Sequence, residues 1–397
     1  MGYFYMLLLR LVAYLEGNSK IYFFIAVAFL MSLTIGKNIF RFRKDGRFLI
    51  SCGIYFFLLL LVVVLHTFIF SELFIRDIAV LAAIFIWFVY VTTRFWNRDV
   101  DAGLRYILIS FLIYNIANYV FNEISFGDAK IGINSTLGFF GIQGYRISFP
   151  LSSGANVNAS QIGLCSLIAI YFYKNKRDIR KKLLYLLVFL FHVFLLVLAD
   201  SRLILLVALI FSLFTFYSFT RVINFAKRYW LALSISLILM MYFFYSTDVF
   251  ESIKRPGEKS GRVLNRFEIW QVAIEVIFND FRVITGRGLN GFANALTGEL
   301  KEKFAAENLE TCHNFMIQTL MDFGIFGLLL SLYGIQLIIV KAIKLRKSIL
   351  LILLTAVLIF STTEAIPTFY SFEATFFFTA LVALIIIRYE RENHQHT

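Results

Sequence analysis

The chain has 397 residues, of which 60% are hydrophobic, 18% aromatic and only 16% charged, and 38 Lys and Arg against 25 Asp and Glu leave a formal charge of +13. A soluble domain keeps about half its residues apolar and about a quarter charged, so this balance excludes an ordinary globular enzyme. The positive surplus does not imply nucleic acid, because most basic residues sit in short connections beside apolar runs, where Lys and Arg set membrane topology.

Apolar segments follow one another near residues 3–16, 20–36, 48–70, 77–93, 105–121, 156–173, 183–200, 203–219, 229–246, 315–340, 349–365 and 369–387. A spanning helix needs roughly 20 residues and must satisfy its backbone internally. The expectation is therefore an all-α, polytopic membrane bundle of about 12 transmembrane helices, a single membrane domain over 1–397. No basic region precedes the first apolar stretch, Arg10 lies within it and no small-residue cleavage site follows, so it reads as a retained span. Alternate connections, at 37–47, 94–105, 174–182, 220–228, 341–348 and 388–397, together hold 23 Lys and Arg. The connections on the other side, apart from the long insertion 247–314, hold 5: Lys20, Arg76, Lys130, Arg146 and Arg202. This asymmetry places both termini in the cytoplasm and both large loops, 122–155 and 247–314, outside.

The cysteines, Cys52, Cys165 and Cys312, have no CxxC spacing, so neither a metal site nor a disulfide framework is expected. The glycine-rich first loop carries Arg146, and Arg202 lies in the tight turn Asp200-Ser201-Arg202. In the second loop, Val263, Phe267, Trp270, Ile274, Ile277 and Phe281 recur at helical spacing, which predicts an amphipathic helix at the bundle mouth. Arg262 and Arg266 share its first turn, where free backbone N–H groups also favour an anion. Gly286-Arg287-Gly288-Leu289-Asn290-Gly291 matches the dinucleotide fingerprint in spacing but lacks its strand context, so it reads as a turn.

His313 and Asn314 open the return into the apolar run, where a neutral imidazole suits a general base. His66 and His192 lie within spans and read as packed side chains, while Glu364 and Glu373 flank the last outer turn and are placed to pair with those arginines or bind an acceptor. Guanidinium forks at Arg146, Arg202, Arg262, Arg266 and Arg287 suit a diphosphate.

The series Ser260-Gly261-Arg262, Trp270, Gly286-Arg287-Gly288, His313-Asn314 and Gly324-Ile325-Phe326-Gly327 resembles the large periplasmic loop and following helix of the O-antigen polymerase and O-antigen ligase superfamily. Arg202 and the Arg146 to Asn156 stretch sit where such proteins place functional residues, and the likeness covers about residues 140–330. It implies an inverting, metal-independent and cofactor-free glycosyl transfer from undecaprenyl diphosphate at the periplasmic face of a bacterial inner membrane. His313 would be the base, with Arg262 and Arg202 holding the departing diphosphate. Arg146, Arg266, Arg287, Asn314 and Glu364 would bind substrate. The acceptor would be a second lipid-linked glycan in a polymerase, which the Phe-, Ile- and Lys-rich composition favours, or lipid A-core in a ligase. The remaining expected partners are membrane lipids and a chain-length regulator, with no nucleic acid. A flippase is the alternative of another class. It would place its ionisable residues near the bilayer midplane.

Overall fold

A computed structural model of the chain describes residues 46–70, 75–95, 98–120, 155–216, 262–278, 281–289, 291–296, 311–366 and 372–394. Among them are eleven α-helices and no strand. We number them α1 (Gly46–Phe70), α2 (Ile75–Phe95), α3 (Val100–Val120), α4 (Ala155–Asn175), α5 (Ile179–Leu198), α6 (Arg202–Phe216), α7 (Arg262–Phe278), α8 (Gly291–Ala295), α9 (Phe315–Lys344), α10 (Ser348–Ser361) and α11 (Phe372–His394). A 3₁₀ turn, Phe281–Val283, follows α7. The expected segments 3–16, 20–36 and 229–246, and most of the first outer loop, lie outside the described residues.

Helix α4 is at the centre. Residues 158–170 are buried on every side, the signature of a helix surrounded by other helices, and α3, α5, α6, α10 and α11 all pack against it. Gly163 permits this packing: a Cβ there would lie 2.7 Å from Ile204 of α6 and 3.4 Å from Phe360 of α10. Across the bundle, Trp87 of α2 donates to the Phe376 carbonyl of α11 at 3.1 Å. Outward faces are apolar as well. Leu183, Leu184, Leu187, Leu190 and Phe194 line one exposed stripe of α5, and Phe326, Leu329, Tyr333, Leu337 and Val340 another on α9. A helix apolar on its exposed face is at home in lipid, and α3, α5 and α9 are each long and apolar enough to cross a membrane.

Short connections at 176–178, 199–201 and 345–347 make successive helices antiparallel. One end of the bundle therefore carries Lys174, Lys176, Arg177, Lys341, Lys344 and Arg346. The other carries the starts of α4, α6 and α9 and the finish of α10. Because Ile204 and Phe360 both abut Gly163, the Asp200–Arg202 turn and the segment after Ser361 stand at the same end.

Three expectations need correction. The apolar segment 349–365 is not helical throughout: α10 stops at Ser361 and Thr362–Ile366 form a turn, with the Thr362, Thr363 and Glu364 N–H groups bonding back to Ile359 and Phe360. This frees Glu364 from the helix. The segment 315–340 is broken at Gly324, whose φ of 66° and ψ of −169° are not helical. Finally, the stripe on α7 has another phase. Ile269, Ala273 and Ile277 are buried and Trp270 half-buried, whereas Ile274 and Phe281 are exposed. Counting only large apolar residues overlooks Ala273, whose small side chain permits close packing, and the helix ends before Phe281.

Candidate functional site

The segment 311–314 brings the chain back to the bundle and is held from both sides. Asn314 caps α9: its Oδ1 accepts from the N–H groups of Met316 at 2.9 Å and Ile317 at 3.1 Å, satisfying donors that the first turn leaves orphaned. Its Nδ2 donates to the Thr362 carbonyl at 3.2 Å, tying the start of α9 to the turn after α10. On the other side, Trp270 Nε1 donates to the Cys312 carbonyl at 2.7 Å, so α7 anchors the same segment.

Between these anchors His313 adopts φ 49°. A left-handed conformation in a non-glycine residue costs roughly 1–3 kcal/mol and persists only where the surroundings impose it. Here it turns the imidazole towards α10, and Nδ1 lies 3.1 Å from Glu364 Oε2. The other carboxylate oxygen, Oε1, accepts from Arg266 at 2.7 Å, and Arg266 donates also to the Thr363 carbonyl. One buried carboxylate thus bridges a guanidinium from α7 and an imidazole from the loop before α9.

Burial by itself would raise the Glu364 carboxyl above its ordinary range. The hydrogen bond from His313 and the adjacent positive charge of Arg266 outweigh it and hold the group below that range. Glu364 is therefore ionised at neutral pH, and an ionised carboxylate only accepts hydrogen bonds. His313 must then donate through Nδ1, which in the neutral ring leaves the lone pair on Nε2. The ion-paired carboxylate fixes one tautomer and one ring orientation, the arrangement a general base needs.

The neighbouring thiol has no such activation. Cys312 is fully buried, and burial, with the nearby charge of Asp322, pushes it well above its usual value, so it stays a thiol. Among the described residues no group of three or more His, Cys, Asp or Glu stands together in a form that could hold a metal ion.

The other sequence candidates fall as follows. Arg202 opens α6 at the same end of the bundle, with Nε 3.3 Å from Asp200 Oδ1 and the side chain one-third exposed. Arg287 lies in the glycine turn, its N–H donating to the Met321 carbonyl at 2.7 Å. Arg262 begins α7, one turn before Arg266, but its side chain lies outside the described residues, as do Arg146 and the Glu373 side chain. Asn314 is a helix cap and Glu364 an ion-pair partner in the positions just given.

Sequence reasoning missed Trp270, Gln318 and Asp322 as polar partners here. The signal was present in Gln318 and Asp322, two polar residues four apart on one face of a span-like helix, where uncharged packing is the norm.

Comparison with known proteins supplies the remaining finding. The sequence model of a family described as O-antigen ligase matches residues 185–332. The match spans little more than a third of the chain and is a likeness to that family. The matched region contains Arg202, α7, the Gly286–Gly291 turn and His313-Asn314, but not Glu364. No curated protein matches the chain.

Proposed function

We propose that this protein, with its match to the O-antigen ligase family over residues 185–332, joins undecaprenyl-diphosphate-linked oligosaccharide repeat units at the periplasmic face of a bacterial inner membrane. The observation that carries the reading is the Glu364–His313 contact at 3.1 Å with Arg266 on the opposite carboxylate oxygen. It turns Nε2 of the imidazole away from the carboxylate, at the end of the bundle that also holds Arg202. The Lys- and Arg-rich opposite end faces the cytoplasm by the positive-inside bias.

In this mechanism Nε2 takes the proton of an acceptor sugar hydroxyl. The hydroxyl oxygen attacks the anomeric carbon of the donor, and the bond from that carbon to the diphosphate oxygen breaks, with the electron pair leaving on the diphosphate. A single displacement inverts the anomeric configuration. Charge builds on the leaving oxygens, so fixed guanidinium groups in a water-poor site stabilise the transition state more than the ground state. Arg266 is engaged by Glu364 and Thr363, so Arg262 and Arg202 are the principal diphosphate contacts, supported by Arg146 and Arg287. The ligase reading, with lipid A-core as acceptor, uses the same donor half of the site.

The test is complementation of a strain that lacks the native gene. His313→Ala should accumulate at the parent's level yet give no long glycan chains, since general-base catalysis contributes roughly 10²–10⁴-fold. Full-length chains from His313→Ala would remove the base and leave a flippase or scaffold as the better description. Arg262→Lys should also lose activity, because lysine keeps the charge but not the bidentate fork.

A further inference from the structure

Gln318 and Asp322 lie one turn apart in the first half of α9, and both are buried. A carboxylate in such a place is costly unless its oxygens are hydrogen-bonded, so its partners indicate its use. Asp322 Oδ1 accepts from the Gly291 N–H at 2.9 Å and from Gln318 Nε2 at 2.8 Å. Gln318 presents its other end, Oε1, to the Cys312 N–H at 2.9 Å. Cys312 immediately precedes His313.

Backbone contacts lock the same turn to the same helix. Arg287 N–H donates to Met321 O at 2.7 Å and Gly288 N–H to Asp322 O at 2.9 Å. The approach is close enough to require glycine. A Cβ on Gly286 would lie 2.3 Å from the Asp322 carbonyl oxygen, and one on Gly291 2.3 Å from that of Met321. The glycine spacing that mimics a dinucleotide fingerprint therefore serves backbone docking against α9. Hydrogen bonds run unbroken from this turn, through Asp322 and Gln318, to the N–H of Cys312, the residue before the one that carries the imidazole.

We propose that Asp322, acting through Gln318, is a positioning residue for His313. It holds the backbone at Cys312, immediately before the left-handed turn at His313 that brings Nδ1 to Glu364, and it couples the Gly286–Gly291 turn, with Arg287 in it, to the base. The assignment rests on the reading of His313 as that base, and it adds residues from outside the cation and imidazole cluster to the machinery.

The experiment uses the full-length chain labelled with ¹⁵N-histidine and reconstituted in vesicles of phosphatidylethanolamine and phosphatidylglycerol. The imidazole signals of His313 are identified by their loss in His313→Ala. In the parent the neutral ring should show a protonated Nδ1 and an unprotonated Nε2. Gln318→Ala and Asp322→Ala should give a mixture of tautomers. Asp322→Asn, which keeps an accepting Oδ1 for Gly291 and Gln318, should restore the parent pattern. An unchanged His313 tautomer in Gln318→Ala overturns the proposal, as does an Asp322→Asn protein as perturbed as Asp322→Ala. Where Asp322→Ala does not fold, Gln318→Ala decides alone, since it leaves the Asp322–Gly291 bond in place. The readout is the tautomer and not glycan transfer. An active His313→Ala protein would defeat the catalytic reading, whereas an indifferent His313 signal in Gln318→Ala would defeat the positioning role alone.

Discussion

The two ends of the bundle use the same charged residue types with opposite physics. At the basic end, Lys341 pairs with Glu390 at 2.6 Å and Arg388 with Glu392 at 2.8 Å, with a quarter to a third of each side chain in solvent. Lys341 and Lys344 also lie over the Tyr389 ring. At the other end, Arg266 and His313 share Glu364, whose side chain is 5% exposed. Exposed pairs contribute about 0–1 kcal/mol because water competes for both partners. Removing one member of a buried pair costs roughly 3–5 kcal/mol, because the group left behind has lost its solvation. The first end leaves its pairs partly in water, whereas the second holds one imidazole and one guanidinium against a buried carboxylate.

The sharpest way to break this contrast is Glu364→Ala. It should abolish glycan transfer and lower thermal stability by a large part of the buried-pair cost of roughly 3–5 kcal/mol, measured by unfolding in detergent alongside the glycan length profile. Activity near the parent's would mean that the carboxylate does not set the tautomer. Glu364→Gln adds a pH signature. The folded carboxyl is held below its ordinary value of 4.5, so its stabilisation is fully present above that value and is lost as pH falls through the lower folded value. The gap in unfolding temperature between parent and Glu364→Gln should narrow as pH falls below about 4.5.

A smaller effect is expected at the break in α9. Gly324 has positive φ, and a Cβ there would stand 2.2 Å from the Ile284 carbonyl oxygen. Gly324→Ala should cost about 1–3 kcal/mol through strain and overpacking, seen as a lower unfolding temperature, and should push the Phe281–Gly291 segment away from α9. The smallest effect belongs to the basic end. Lys341→Ala should change stability by less than about 1 kcal/mol and leave glycan length unaltered. A larger loss would show that the two ends are not as different as their burial implies.

Much of this was legible in the residue order. Apolar runs at span length marked the helices, because a chain in lipid has few other ways to satisfy its backbone, and each of the nine expected segments that fall wholly or partly among the described residues contains a helix. The tight turn at Asp200–Arg202 and the helix near Arg262 were likewise visible. The helix breaks were not. Gly324 sits in an apolar run that reads as continuous, and only the docking of residues 284–288 against it explains the break. Glu364 was recognisable as a charge near an outer turn, yet 51 residues separate it from His313, and no periodicity reports such a distance.

Composition and the order of charges determined, unaided, that the chain is a helical membrane protein with arginines and one histidine gathered in a long polar insertion. Hydropathy and charge are additive along a sequence, so they survive without coordinates. Which oxygen faces which nitrogen is not additive. The tertiary structure alone decided that Glu364 binds Arg266 and His313 together, that Asn314 is a cap, and that Asp322 reaches Cys312 through Gln318. Hydrogen bonds depend on distances of a few tenths of an ångström between segments far apart in the chain, and only packing sets those.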